Sequence, residues 1–435
     1  MGKAGITDFP PIMVVEPGAQ QGKRRAASIL LRKERPPDIG ALKARLREMR
    51  GLARDNRASL LDTLKKTLTR YPRVQLTTAA DAREAAAYIR ALAPDRGLAS
   101  LNKSTVVVNE LRPELTSMGF TTHIRYFSEF DSLADENLPR QVEDYWSLPG
   151  MHDRGLVETF TRQGINGPAT PGARRDYLAI LGVNAVSAAE GTVFFLQHMA
   201  NISKDLEQAR QVVLVITPEK ILPDCEEALL HTQSMGVFGL EAMFLDLLPE
   251  DGQRFDFDSL PVLPDGLDQE IHVLILDNGR STLPENAFRD LWLCIDCRAC
   301  ARQCPVGRHL PASGLIYSPK NTLLGYLQGA PPSLEACLHC GRCHVECPLE
   351  IDLPALFWKA QFARYDREGR SWKRRMLDDP ELLAKFGSRT APLSNWTLRI
   401  PPVKALMEMV AGIHRAAPLP AFQRRTFRDG RKKSG

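Results

Sequence analysis

The sequence predicts an α/β domain followed by a mainly helical, cysteine-rich domain, and three observations carry that prediction. Short apolar runs alternate with helical periodicity between residues 98 and 280, the pattern of a mostly parallel sheet. Strand character disappears past residue 285. Eight of the nine cysteines lie between residues 294 and 347.

Taken in order, residues 1–38 read as a disordered basic tail, broken by Pro10, Pro11, Pro17, Pro36 and Pro37. The α/β domain is expected over 39–283 and opens with helices. Leu42, Leu46, Met49 and Ala53, then Leu60, Leu61, Leu64 and Leu68, recur at the spacing of an amphipathic face. A further helix follows Thr78 as cap through 79–92. Thr105 to Val108 reads as a short strand or a helix start. Strands are expected at 121–126, 212–216 and 271–276, with a strand–turn–strand at 186–196. Helices are expected at 154–164, 174–181 and 224–235. The cysteine-rich domain occupies 284–365, and a basic tail with a short amphipathic helix at 403–413 completes the chain at 366–435.

Bulk properties narrow the classes. At 435 residues, two folded domains plus tails are the natural expectation. No run approaches the roughly 18 apolar residues of a membrane span, and Ile29-Leu30-Leu31 is too short for a signal-peptide core. The expected compartment is the cytoplasm, with peripheral membrane association left open. The net charge is +5, yet residues 1–50 and 401–435 each carry an excess of six positive charges, leaving the middle at −7. Such ends are solvated tails or dock on acidic partners. They lack the interleaved aromatics of a nucleic-acid binder.

The cysteines form two runs, Cys294-Ile-Asp-Cys297-Arg-Ala-Cys300-Ala-Arg-Gln-Cys304-Pro305 and Cys337-Leu-His-Cys340-Gly-Arg-Cys343-His-Val-Glu-Cys347-Pro348. Each is C-x2-C-x2-C-x3-C-P, in which three thiolates face one cubane while the fourth is carried to the other. Two 4Fe-4S clusters are therefore expected, one on Cys294, Cys297, Cys300 and Cys347, the other on Cys337, Cys340, Cys343 and Cys304. Structural zinc prefers two separated C-x2-C pairs around one ion. Two complete runs ending in proline fit that poorly. Between the runs, Ser318-Pro319 starts a helix that Gly329 stops. The arrangement resembles a helical ferredoxin, as in fumarate-reductase-type iron–sulfur subunits. Cys225, the ninth thiol, lies beside carboxylates that raise its pKa and reads as inert. His152, His198 and His272 read as ordinary structural histidines. No P-loop, G-x-G-x-x-G or G-x-S-x-G occurs, which suits an electron relay.

Further segments carry a family resemblance. Ile271 to Ser281, Asn102-Lys103-Ser104, Asp176 to Thr192 and Arg308-His309 with Ser313 to Ser318 resemble the iron–sulfur subunit of the bacterial L-lactate-utilisation complex. Its N-terminal part is called a LUD domain. The resemblance spans roughly residues 40–365. It implies a fold similar to CoA-transferase/ribose-isomerase-like proteins and a multi-subunit complex oxidising L-lactate to pyruvate. It also implies two partners, a cysteine-rich CCG-motif subunit and a second LUD-domain subunit. Lys103, Glu190 and Asn201 are then candidates for an anionic or carbonyl-bearing ligand, against the plainer reading of satisfied loop residues. Gln197 to Asn201 and Met151-His152-Asp153 depart from the family's pattern. Two alternatives stand beside this reading: a relay subunit of a heterodisulfide-reductase-like respiratory complex, and a non-enzymatic redox sensor.

Overall fold

The computed structural model describes residues 9–17, 39–93, 97–124, 175–196, 202, 205–206, 209–239, 257–262, 270–302, 304–309, 317–329, 334–369, 375, 379–419 and 421–424. They divide into two compact units, Met1–Ala360 and Gln361–Gly435.

Eleven strands occur among the described residues of the first unit: β1 (Ile12–Pro17), β2 (Val74–Ala79), β3 (Leu98–Leu101), β4 (Thr121–Ile124), β5 (Arg175–Gly182), β6 (Ala185–Ser187), β7 (Val193–Leu196), β8 (Ala209–Ile216), β9 (Ile221–Leu222), β10 (Phe257–Val262) and β11 (Glu270–Leu276). Six form a wholly parallel sheet in the order β2-β11-β8-β5-β3-β4. Five form a mixed sheet in the order β10-β1-β7-β6-β9.

The side-chain period of two explains the layering. Val212, Leu214 and Ile216 of β8 share one core with Tyr177, Ala179 and Leu181 of β5 and Val193 and Phe195 of β7. That core seals the two sheets together. The alternate residues, Val213, Val215, Leu178 and Ile180, face the opposite way, under the helix Ala82–Leu92 and the segment 106–117. A sheet buried on both faces reads as continuous apolar sequence, as β8 and β11 do.

The outer face of the mixed sheet supplies Ala185, Phe194 and Leu222 to a third core. The helices Ile39–Asp55 and Cys225–Phe238 join it through Leu46, Met49, Met235 and Phe238. So do Trp292, Leu323, Cys297, Cys300, Cys343, Cys347 and Phe357 of the cysteine-rich part. The expected domain junction at 283–284 therefore falls inside one continuous core.

Several expectations need correction. Residues 12–17, placed in a disordered tail on proline content, form β1, which pairs with β7 and β10. Pro10 and Pro11 precede that strand and Pro17 ends it, so none removes a ladder donor from its middle. Residues 174–181, expected as helix, fall largely in β5, because Leu178 and Ile180 serve one core and Ala179 and Leu181 the other. Of the two readings of Thr105 to Val108 the helix start holds: Val106–Leu111 is a π-helical turn running into the helix Arg112–Ser117. The cap of the helix Ala82–Leu92 is Asp81, whose side chain accepts from Glu84 N–H, while Thr78 lies in β2. The helix expected at 154–164 lies outside the described residues.

The second unit is more than a tail with one helix. It holds the helices Pro380–Arg389, Leu393–Thr397 and Pro401–Ala411. Asn395 clamps Phe422 through two hydrogen bonds, Nδ2 to the carbonyl at 2.8 Å and Oδ1 from the N–H at 2.7 Å. Gly387 leaves room for the Phe422 ring, which a Cβ there would meet at 2.4 Å.

Candidate iron–sulfur site

The two cysteine runs fold alike. In the first, Asp296 (φ 59°) and Arg298 (φ 60°) are left-handed; in the second, His339 (φ 49°) and Gly341 (φ 79°) occupy the same two positions. Left-handed residues set between right-handed ones turn backbone N–H groups toward a common concavity suited to anions. The Asp296 N–H points at Cys294 Sγ at 3.3 Å, and the His339 N–H does the same for Cys337. Cys347 receives the N–H groups of Leu349, Glu350 and Ile351. Pro348 contributes none, having no donor.

Burial and mutual repulsion push up Cys294, Cys297, Cys300, Cys337, Cys343 and Cys347, and the repulsion runs crosswise between the runs. After burial, Cys297 is raised by Cys294 and Cys347, and Cys300 by Cys294, Cys297 and Cys347. Cys343 reaches about 12 through burial and then Cys337, Cys304 and Cys340. Cys347 reaches about 11, chiefly by burial, with Cys294 adding to it. A weaker link from Cys343 to Cys300 joins the two sets. Among the described residues no three His, Cys, Asp or Glu side chains meet closely enough to share a single metal ion. A cubane asks for wider sulfur spacing than a single ion does. The thiolate charge that burial penalises is what iron would neutralise, so the donor set suits iron–sulfur clusters.

The two sets differ in setting. Around the first run a buried ionic network gathers. Asp296 accepts from Thr105 Oγ1 and lies 3.9 Å from Lys320 Nζ. Arg298 donates to the Lys103 carbonyl at 3.1 Å. Arg50, wholly buried, donates to the carbonyls of Leu293 (3.1 Å) and Trp292 (2.6 Å). Burial lowers its pKa to about 10, against the pull of Glu219, Cys294 and Glu227. Burial also lowers Lys220, while Asp296 and Glu219 counter it. Burial opposes the charge on Lys320 as well, but Asp296, Cys294 and Glu219 outweigh it and raise its pKa. Glu219 continues the network to Arg280, whose Nε lies 3.0 Å away. Arg280 in turn grips Glu110 at 2.6 and 2.9 Å. Asn278 and Gln328 complete the Glu110 carboxylate at 2.6 and 2.9 Å. The turn that delivers Arg280 needs Asn278 (φ 46°) and Gly279 (φ 82°).

Around the second run the surface is open. Cys340 is exposed, Leu338 and Val345 are 67% and 76% exposed, and His339 stacks on Trp358 at 3.9 Å between ring centres. Cys304 lies 3.1 Å from the Tyr317 hydroxyl, and Gly307 makes room for that ring.

The three candidate ligand residues fare differently. Lys103 follows β3 beside the first run, where Asn102 bridges to Gly182 through two 2.9 Å hydrogen bonds. Glu190 sits in the β6–β7 turn with Ser187 and Cys225, its carbonyl accepting from Tyr71 at 2.8 Å. They thus belong to different sheets. Asn201, His152 and His198 lie outside the described residues. His272 is buried on β11, 2.8 Å from the Tyr88 hydroxyl, and burial lowers its pKa. Cys225 is raised first by burial. Arg50, Glu219, Lys220 and Lys320 escaped sequence reasoning, since nothing in their local sequence separates them from surface charges.

His231 gives one prediction. It is fully buried, and among the described residues neither ring nitrogen has a hydrogen-bond partner. Burial, then the Arg50 and Lys220 cations, hold its pKa well below the ordinary value. Its unfolded form takes a proton as pH falls below about 6.5, while the folded form resists. Stability is therefore present above that pH and lost as pH drops below it. Urea unfolding at pH 7.5 and 5.5 should show a smaller acid loss in His231→Phe than in the parent. Equal losses would remove His231 as a cause.

These runs and their buried thiols define an iron–sulfur protein, and residues 290–351 match the family described as a 4Fe-4S dicluster domain. More widely, the chain is similar to Lactate utilization protein B of Geobacillus thermodenitrificans (strain NG80-2), 27% identical over 273 residues, covering 57% of this chain and 55% of that protein. Lactate utilization protein B of Exiguobacterium sp. (strain ATCC BAA-1283 / AT1b) is 28% identical over 256 residues, 54% of this chain and 52% of its own length. The "Uncharacterized electron transport protein YkgF" of Escherichia coli (strain K12) is 26% identical over 257 residues, 53% and 51% of the two chains. The chain spans about half the length of the curated relatives it matches. No solved structure matches it.

Proposed function

We propose that this chain is the electron-relay subunit of a multi-subunit oxidoreductase that oxidises L-lactate or a related 2-hydroxy acid. Two 4Fe-4S clusters serve it, one on Cys294, Cys297, Cys300 and Cys347, the other on Cys337, Cys340, Cys343 and Cys304. The crosswise sorting of the thiols carries this reading. The α/β part is read as a LUD domain of the CoA-transferase/ribose-isomerase-like type, and a CCG-motif subunit and a second LUD-domain subunit as partners.

Each cluster, when bound, takes up and releases one electron at a time. Converting a 2-hydroxy acid to a 2-oxo acid releases two electrons and two protons, which suits a pair of one-electron carriers. The chain's residues give the pair a direction. Lys320, whose charge the network favours, lies close to Cys294 with Arg50 and Lys220, against the carboxylate of Asp296, and these cations favour the extra negative charge of reduction there. The second run, with Cys340 at the surface, suits exchange with a partner.

Anaerobic reconstitution should load about eight irons per chain, and L-lactate should then reduce the assembled complex, read by EPR. A loaded complex that dithionite reduces and that neither L-lactate nor other 2-hydroxy acids reduce would sink the substrate class. A colourless chain would sink the clusters.

A further inference from the structure

The unit Gln361–Gly435 presents its apolar side chains outward. Among the described residues, nine of the thirteen exposed large hydrophobics of the chain belong to it. They follow helical spacing. Leu406, Met409 and Val410 form one face of the helix Pro401–Ala411, Leu383 and Phe386 share a face of Pro380–Arg389, and Leu393 and Trp396 share a face of Leu393–Thr397. Among the described residues, the helices Leu393–Thr397 and Pro401–Ala411 bury none of their own. Exposed apolar faces of this extent mark an interaction surface.

Charge identifies the occupant. Residues 361–435 hold 17 Lys and Arg against 7 Asp and Glu. Lys385, Arg389, Arg399 and Arg415 are exposed on the same short helices or directly after them. Cations beside Leu, Met, Phe and Trp, on helices too short to span, are the composition of elements that lie in a bilayer interface. Among the described residues, no helix is long and apolar enough to cross a membrane. A protein partner would use aromatic anchors gathered into one well-packed centre. Here the apolar residues are instead spread over three helices, which suits a fluid, unshaped acceptor.

We propose that the unit Gln361–Gly435 docks the protein on an anionic lipid surface, with Phe386, Trp396 and Met409 entering the interface and the surrounding Lys and Arg facing the headgroups. The test uses the full, anaerobically purified chain and sedimentation with two kinds of vesicle, phosphatidylcholine alone and phosphatidylcholine mixed with phosphatidylserine. The chain should co-sediment with the anionic vesicles, and raising the salt from about 0.1 M to about 1 M should reduce binding severalfold. The triple variant Phe386→Ser, Trp396→Ser, Met409→Ser should lose at least tenfold in binding while its iron content and visible spectrum stay unchanged. Binding to acidic polypeptides without vesicle binding would overturn the proposal in favour of a protein partner. Equal sedimentation with both vesicle types, or a triple variant that binds as the parent does, would also overturn it.

Discussion

Combining Cys294→Ser with Cys347→Ser is expected to abolish one cluster and leave the other intact, with about four irons per chain and an unperturbed EPR signal from the survivor. The two residues lie 53 positions apart, in different runs, yet Cys294 is the cysteine whose charge adds to the rise of Cys347. Combining Cys337→Ser with Cys347→Ser, both from the second run, should instead damage both clusters. If each run held its own cluster, the outcomes would be reversed. The pair of double variants therefore separates crosswise ligation from run-by-run ligation without any assay of activity.

Arg280→Met is expected to be the most destabilising substitution outside the cysteines, costing about 3–5 kcal/mol. Arg280 is 1% exposed and is the common partner of Glu110 and Glu219. Removing it leaves two buried carboxylates without their cation. The side chain is also bidentate toward Glu110, so Arg280→Lys should recover only part of the loss. Chemical denaturation of the iron-loaded chain measures both. A cost under about 1 kcal/mol for Arg280→Met would mean that Lys220 and Lys320 suffice to hold Glu219.

The sequence made the cysteine module plain because thiolate spacing is a local property. It made β8 and β11 plain because each carries an apolar run, Val212 to Ile216 and Val273 to Leu276, in a strand buried on both faces. β5 was misread as helix since its Ala179 and Leu181 are as much at home in a helix, and only pairing with β3 and β8 decides. β1 was hidden by flanking prolines, and its partners β7 and β10 lie about 180 and 245 residues further on. The buried cations were the least legible part. Arg50 sits on the helix Ile39–Asp55 beside Arg45, Arg47 and Arg54, and only the fold reveals which of the four is enclosed. Lys103 is a candidate ligand residue by sequence, and what the structure shows at that position is its carbonyl accepting from Arg298.

The shared core has a last consequence. Trp292, Leu323 and four of the cysteines pack in the same apolar mass as Met49, Phe194 and Phe238. Iron binding at these cysteines is then expected to stabilise the sheets that share the core. Loss of iron from the first run is therefore expected to loosen the sheets that share its core, read as a lower unfolding midpoint and faster proteolysis of the iron-free chain.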